Sequence, residues 1–232
     1  MRNDSPPSTT IGLPQEPHAH NFPPWNFFKV EINGISLNAL EPKHVKEWRD
    51  GDRAGWELRF NFDGVFLNLR FFMVPDSPLL WCEGALEPLA GVEVKKVLVQ
   101  AWCYPGKMIG GHFQSDIYQR AVFTPERTLP LAEKPAPVPL TVNDRMVFFN
   151  DRKHLPPDGF GPCAVQLDWR CLDSAEVWAG SQFYCAKVSL NVNPAKRKFR
   201  LAFFSSKQVY QEEELLKFLN TVQVRKNRLL SR

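Results

Sequence analysis

The stretch Trp56–Trp81, WELRFNFDGVFLNLRFFMVPDSPLLW, decides the fold. Trp56, Leu58, Phe60 and Phe62 alternate with Glu57, Arg59, Asn61 and Asp63, the period of two that a strand with one buried face requires. Asp63-Gly64 supplies a two-residue turn, because Gly tolerates positive φ and Asp bonds to nearby backbone. On the return strand Val65, Leu67, Leu69, Phe71 and Met73 share one face. Phe66, Asn68, Arg70 and Phe72 share the other, so that face is only partly polar. It either lies against a further layer or offers aromatic rings to a ligand. Pro75 and Pro78 stop the strand, since proline has no amide hydrogen for the ladder. Leu79-Leu80-Trp81-Cys82 opens a third strand.

Outward from this hairpin the same composition continues. The 232 residues include 18 Phe, 7 Trp and 20 Pro, and helix-forming patterns are scarce before the C-terminus, which together favour an all-β sandwich. On the N-terminal side, FFKVEI and ISLNAL flank Asn33-Gly34, a second hairpin signal. Glu41 to Gly55 reads as a polar connection, with a single helical turn over Lys43–Trp48. On the C-terminal side, Val92–Tyr104 reads as a long strand with a bulge at Lys95-Lys96. Thr124–Pro139, with five prolines, reads as a long surface loop. Further strands are expected within Arg145–Asn150, Ala164–Trp169, Glu176–Tyr184, Ala186–Val192 and Phe199–Ser205. From Gln208 to Val222 the period changes, and Val209, Leu215, Leu216 and Leu219 make the apolar stripe of a helix, with Ser205 or Ser206 as its cap.

The expected architecture is therefore a large antiparallel β-sandwich with one C-terminal helix. Residues 1–24 form an arm rich in Pro, Ser, Thr and His, 25–206 the sandwich, 207–223 the helix and 224–232 a basic tail. The net charge of +4 is spread among both signs and gives no reason to expect a nucleic-acid partner. No apolar run reaches membrane-spanning length, and the N-terminus lacks the apolar core of a secretory signal. The five cysteines are odd in number and widely spaced, which suits reduced thiols in a cytoplasmic protein.

Two loops concentrate candidate chemistry. One holds His112 and Asp116, the other Asp151, Arg152, His154 and Asp158, and each pairs a His with an Asp four positions on. Along an extended strand such a pair stands roughly 13 Å apart, so the loops must curl or converge to join them. Converged, the histidines and aspartates could work as an acid/base pair, with Asp151 and Arg152 binding a ligand. A metal is a third use of the same residues, though no metal or cofactor is expected. Solvated turns whose aspartates cap their own backbone explain the same spacing. Among the tryptophans, Trp102 and Trp169 lie in strand patterns and read as core, whereas Trp48 stands in the polar connection and could stack on a sugar ring. Nucleotide-binding glycine loops, a nucleophile elbow and zinc motifs are absent from the sequence.

The run Leu67–Trp81, with Asp158-Gly-Phe-Gly-Pro-Cys163 ahead of a strand, resembles the large aldose-mutarotase-like β-sandwich domains associated with glycoside-processing enzymes. That resemblance implies a saccharide ligand. Such enzymes use a His and a Glu on the sandwich face. Only His112 stands as a candidate for the His, and no Glu matches. An accessory carbohydrate-binding or carbohydrate-processing domain is the leading expectation. The alternatives are a sugar isomerase or lyase with His112 or His154 as base, and a structural protein that oligomerises through its C-terminal helix.

Overall fold

Both tight turns form. Asn33-Gly34 and Asp63-Gly64 take positive φ at both positions, 52° and 88° in the first and 48° and 87° in the second, the pattern of type I′ hairpin turns. The computed structural model describes residues 28–103, 106–109, 112–114, 119–131, 136–159, 161–178, 187–206 and 211–217. The expected arm 1–24, the tail 224–232, Asp116 and the end of the expected helix lie outside the described residues.

The first strands are β1 (Phe28–Ile32), β2 (Ile35–Ser36), β3 (His44–Asp50), β4 (Arg53–Phe62), β5 (Val65–Met73) and β6 (Leu79–Pro88). Next come β7 (Val97–Trp102), β8 (Met108–Ile109), β9 (His112–Phe113), β10 (Arg120–Phe123), β11 (Thr128–Leu129) and β12 (Pro137–Pro139). The last are β13 (Met146–Asp151), β14 (Cys163–Leu167), β15 (Leu172–Trp178), β16 (Lys187–Val192) and β17 (Lys198–Ser205). Among the described residues they make a six-stranded sheet, β12-β15-β16-β7-β1-β2, a nine-stranded sheet, β11-β10-β13-β14-β17-β6-β5-β4-β3, and the ribbon β8-β9. The inner faces of the two large sheets share one core: Val30, Val99 and Leu190 from the smaller meet Leu67, Leu69 and Leu201 from the larger. This is the antiparallel β-sandwich that the alternation required, and residues 212–217 add the helix.

The departures have physical causes. Residues 44–50 are an edge strand, not a connection with a helical turn. An edge strand beyond the reach of the opposite sheet has no buried face, so it shows charges instead of alternation. The same overhang leaves Trp56 52% and Met73 55% exposed on what is otherwise the core face. The strand expected over Val92–Tyr104 narrows to β7, because the Asn33 carboxamide oxygen accepts from the Lys95 and Lys96 amides at 2.9 and 3.2 Å and holds that segment as a turn support. β12 carries Pro137 and Pro139 and lies at the sheet's edge, where a missing amide hydrogen costs no ladder bond. The helix begins at residue 212, too far along the chain for Ser205 or Ser206 to be its N-cap; Ser205 ends β17 and the Ser206 amide bonds to the Pro162 carbonyl. The described cysteines, Cys82, Cys103, Cys163 and Cys171, are buried and unbridged.

The outer face of the nine-stranded sheet divides in two. At one end Phe72, Trp81, Phe148 and Phe204 form a second apolar cluster, over which the helix lays Leu215, 1% exposed. Arg152 fastens the helix by bonding Glu212 with Nε and Nη2 at 2.8 and 3.1 Å. Phe72 thus meets a second packed layer. Phe66 instead lies beneath the Arg59 guanidinium at 4.5 Å. The other end of this face is polar.

Candidate functional site

The polar end is built by strand register. Lys46, Glu57, Arg70, Glu83 and Arg200 stand directly opposite one another on five adjacent strands, a row of alternating charge. Lys46 Nζ and Arg70 Nε reach Glu57 at 2.8 and 2.5 Å, and Arg200 grips Glu83 through two nitrogens. The Lys46 bond, aided by Arg70 and opposed by burial, holds the Glu57 carboxyl below its ordinary range. One step along each strand, the next row reads His44, Arg59, Asn68, Ala85, Lys198.

In that second row Ala85 is the one short side chain. It is exposed, and its larger neighbours on β5, β6 and β17 enclose a groove of about 590 Å³. Asn68 and Arg70 form one wall, Lys198 and Arg200 the other, and Glu83 and Glu87 close the ends along β6. Glu87 is oriented by Asn68 Nδ2 at 2.7 Å and Arg59 Nη2 at 3.1 Å. Asp168, Arg170 and Lys196 complete the rim. Asp168 caps the short 3-10 turn Trp169–Cys171 and pairs with Arg170 at 2.6 Å. Burial opposes the charge on Asp168, but Arg170 outweighs it and the carboxyl sits below its ordinary range. The result is a preformed concavity of carboxylates, guanidiniums, a carboxamide and an ammonium on rigid strands.

The loop residues singled out from the sequence lie elsewhere. His154 and Asp158 do meet: the turn between them brings Nδ1 to 2.7 Å from Asp158 Oδ2, in place of the extended separation. Lys107, which precedes β8, adds an ion pair to Asp158 Oδ1 at 2.6 Å. Lys107 first, and His154 after it, hold the exposed Asp158 carboxyl below its ordinary range. His154 Nε2 is buried, with no hydrogen-bond partner among the described residues. Asp151 is 1% exposed and accepts the Lys153 and His154 amides at 2.8 and 2.9 Å, a turn-capping arrangement. Arg152 points to the helix through Glu212. His112 pairs with Ile109 in the β8-β9 ribbon, and Asp116 lies outside the described residues. Among the described residues no three of His, Cys, Asp and Glu gather as metal ligands.

Trp48 is half-buried, its ring 5.3 Å from that of Phe72, with the Arg53 and Arg70 guanidiniums 5.7 and 5.2 Å from its centre. Trp169 does pack on the main core and donates from Nε1 to the Asp144 carbonyl at 3.1 Å. Trp102 does not: Val97, Val99 and Ala101 take the inner positions of β7, which turns Trp102 outward between Lys29 and Lys187. The groove residues Glu83, Glu87, Lys198 and Arg200 were not singled out. Their signal was period-two polarity in CEGALE and KFR, which shows an outward face but not which strands lie side by side.

No protein-family model matches the chain, and no curated protein matches it. Solved structures do. The α-N-acetylgalactosaminidase of Bifidobacterium bifidum in complex with GalNAc aligns with a TM-score of 0.57 and 11% identity, over 86% of this chain and 34% of that one. A quadruple mutant of the same enzyme gives 0.55 and 12%, over 86% and 34%. This chain therefore spans about a third of the length of that enzyme. What it shares is the large β-sandwich fold found in glycoside-processing enzymes. Among the described residues no helix is long and apolar enough to cross a membrane.

Proposed function

We propose that this chain is a saccharide-binding β-sandwich that serves as an accessory to glycan processing, with the groove over Ala85 as its sugar site. The observation that carries the reading is that groove. Sugar hydroxyls both donate and accept hydrogen bonds. A site that orients carboxylates, a carboxamide and guanidiniums around an open floor matches them. The fold supports the same substrate class, since the B. bifidum enzyme that shares it was solved with GalNAc. The reading needs no second copy of the chain, because Leu215 of the helix is buried on the chain's own sheet.

Ala85 provides the test. Its side chain points into the groove and not into the core, so Ala85→Trp fills the floor while leaving the packing beneath intact. Screening the wild type on a glycan array and titrating the best ligand by calorimetry should give binding that Ala85→Trp weakens by about tenfold or more, with little change in melting temperature. Unchanged affinity in Ala85→Trp would remove the groove from the reading.

A second reading, a sugar isomerase or lyase, draws on the His154–Asp158 hydrogen bond, which fixes the imidazole as a base would be fixed. Nε2 must then be uncovered when substrate enters. Solvent-deuterium incorporation into a sugar, abolished in His154→Gln, is its expected signature. No exchange above background with any aldose or uronate would set it aside.

A further inference from the structure

We infer that the groove over Ala85 prefers an acidic saccharide, one that carries carboxylate or sulfate. This deepens the proposed sugar-binding reading and rests on it.

The groove's charges do not cancel. Three of its cations are engaged: Arg200 with Glu83, Arg170 with Asp168, and Arg70 with Glu57 beside the groove. Glu87 is likewise matched by Arg59. Lys196 and Lys198 are exposed on the rim and form no ion pair among the described residues. Two lysines thus line the same open volume with no carboxylate at ion-pair distance among the described residues.

Their backbone is held in place. Lys196 ends the 3-10 turn Pro194–Lys196, which Asn193 caps by accepting from the Ala195 amide at 2.9 Å. Asn193 in turn donates to Asp173 at 2.7 Å. The Leu86 amide donates to the Arg197 carbonyl at 2.8 Å, which ties the residue between the two lysines onto β6. Lys198 stands directly opposite Ala85, so no long side chain separates its ammonium from the groove floor. Lysine recognises anions as a point charge and tolerates several orientations, which suits a carboxylate or a sulfate on a sugar ring. Hydroxyls of the same ring would meet Asn68 on the facing wall and Glu87 at the groove's end.

The decisive comparison uses one sugar skeleton in charged and neutral form. An oligogalacturonate and its methyl ester are titrated into the wild type and into the double variant Lys196→Gln/Lys198→Gln. A sulfated oligosaccharide and its desulfated form make a second pair, and inorganic phosphate is a sugar-free control. For two exposed charge pairs the charged form should bind roughly five- to tenfold tighter at low salt. The gap should close at high ionic strength, where screening is short-ranged. The double variant should lose the gap between the charged and neutral forms. Which pair shows the gap separates carboxylate from sulfate. Equal binding of charged and neutral sugars overturns the acidic preference and leaves the sugar-binding reading standing. A gap that survives in the double variant overturns the role of the two lysines. Failure of every sugar to bind overturns the reading beneath, and phosphate binding as tightly as the acidic sugar makes this an anion site without sugar recognition.

Discussion

Asp144→Ala should destabilise the fold by about 3 kcal/mol, lowering the melting temperature by roughly 10 °C. Asp144 is 0% exposed and serves as a junction. Its carboxylate accepts from Thr124 Oγ1 at 2.7 Å, from Arg127 Nη2 at 2.8 Å and from the Thr141 amide at 2.8 Å. Arg127 Nη2 also donates to the Pro139 carbonyl at 2.8 Å, and Trp169 Nε1 to the Asp144 carbonyl at 3.1 Å. One side chain therefore binds the β10-β11 turn, the end of β12 and the entry to β13. Removing it leaves the buried Thr124 hydroxyl without its acceptor and frees the part-buried Arg127 and Thr141 donors, which costs more than the net worth of the bonds themselves.

The effect carries a pH signature. Burial pushes the Asp144 carboxyl up, but the Arg127, Thr141 and Thr124 bonds outweigh it and hold the group at about 2, against an ordinary 3.8. A carboxyl whose folded pKa is depressed contributes stability that is fully present above its unfolded pKa and is lost as pH falls through the folded one. The contribution is about 2 kcal/mol, complete above roughly pH 5 and gone below about pH 2. Urea titrations at pH 7, 4 and 2.5 should show the gap between wild type and Asp144→Asn shrinking across that window. A gap of constant size would show that the charge on Asp144 does not stabilise the fold.

What was legible in the sequence and what was not follow one rule. Alternation against a buried face marked β4, β5 and β17, and the two turns were fixed by Asn-Gly and Asp-Gly, because these depend on neighbours in sequence. β3 was hidden because an edge strand outside the opposite sheet has no apolar face to display. The His154–Asp158 contact is local, a bond across four residues, so spacing could suggest it. The groove is not local. Arg200 meets Glu83 across 117 residues, and only the order β17-β6-β5 turns three unremarkable polar faces into one concavity with Ala85 at its floor. Pattern gives the facing of each strand. Register, which pattern does not give, makes the candidate site.

That register depends on a close fit at Gly84. Gly84 pairs with Phe199 across β6 and β17, and the Phe199 ring lies over the space where a Cβ on Gly84 would be. An aromatic ring covering a cross-strand glycine restores the contact that the missing side chain gives up. Phe199 is 2% exposed and belongs to the main core, so its ring can give way only by disturbing packed neighbours. Gly84→Ala should therefore cost about 2–3 kcal/mol through overpacking, although it adds only a methyl group to a strand that alanine otherwise suits. Phe199→Leu should cost about 1–2 kcal/mol through lost packing. Combined, the two changes relieve each other, because the leucine vacates the space that the new methyl needs. The double variant should be at least about 1 kcal/mol more stable than the sum of the single losses implies. Chemical denaturation of the four proteins measures this directly. Simple additivity would mean that the ring and the glycine are not in contact, and the pairing of β6 with β17 that forms the groove would have to be redrawn.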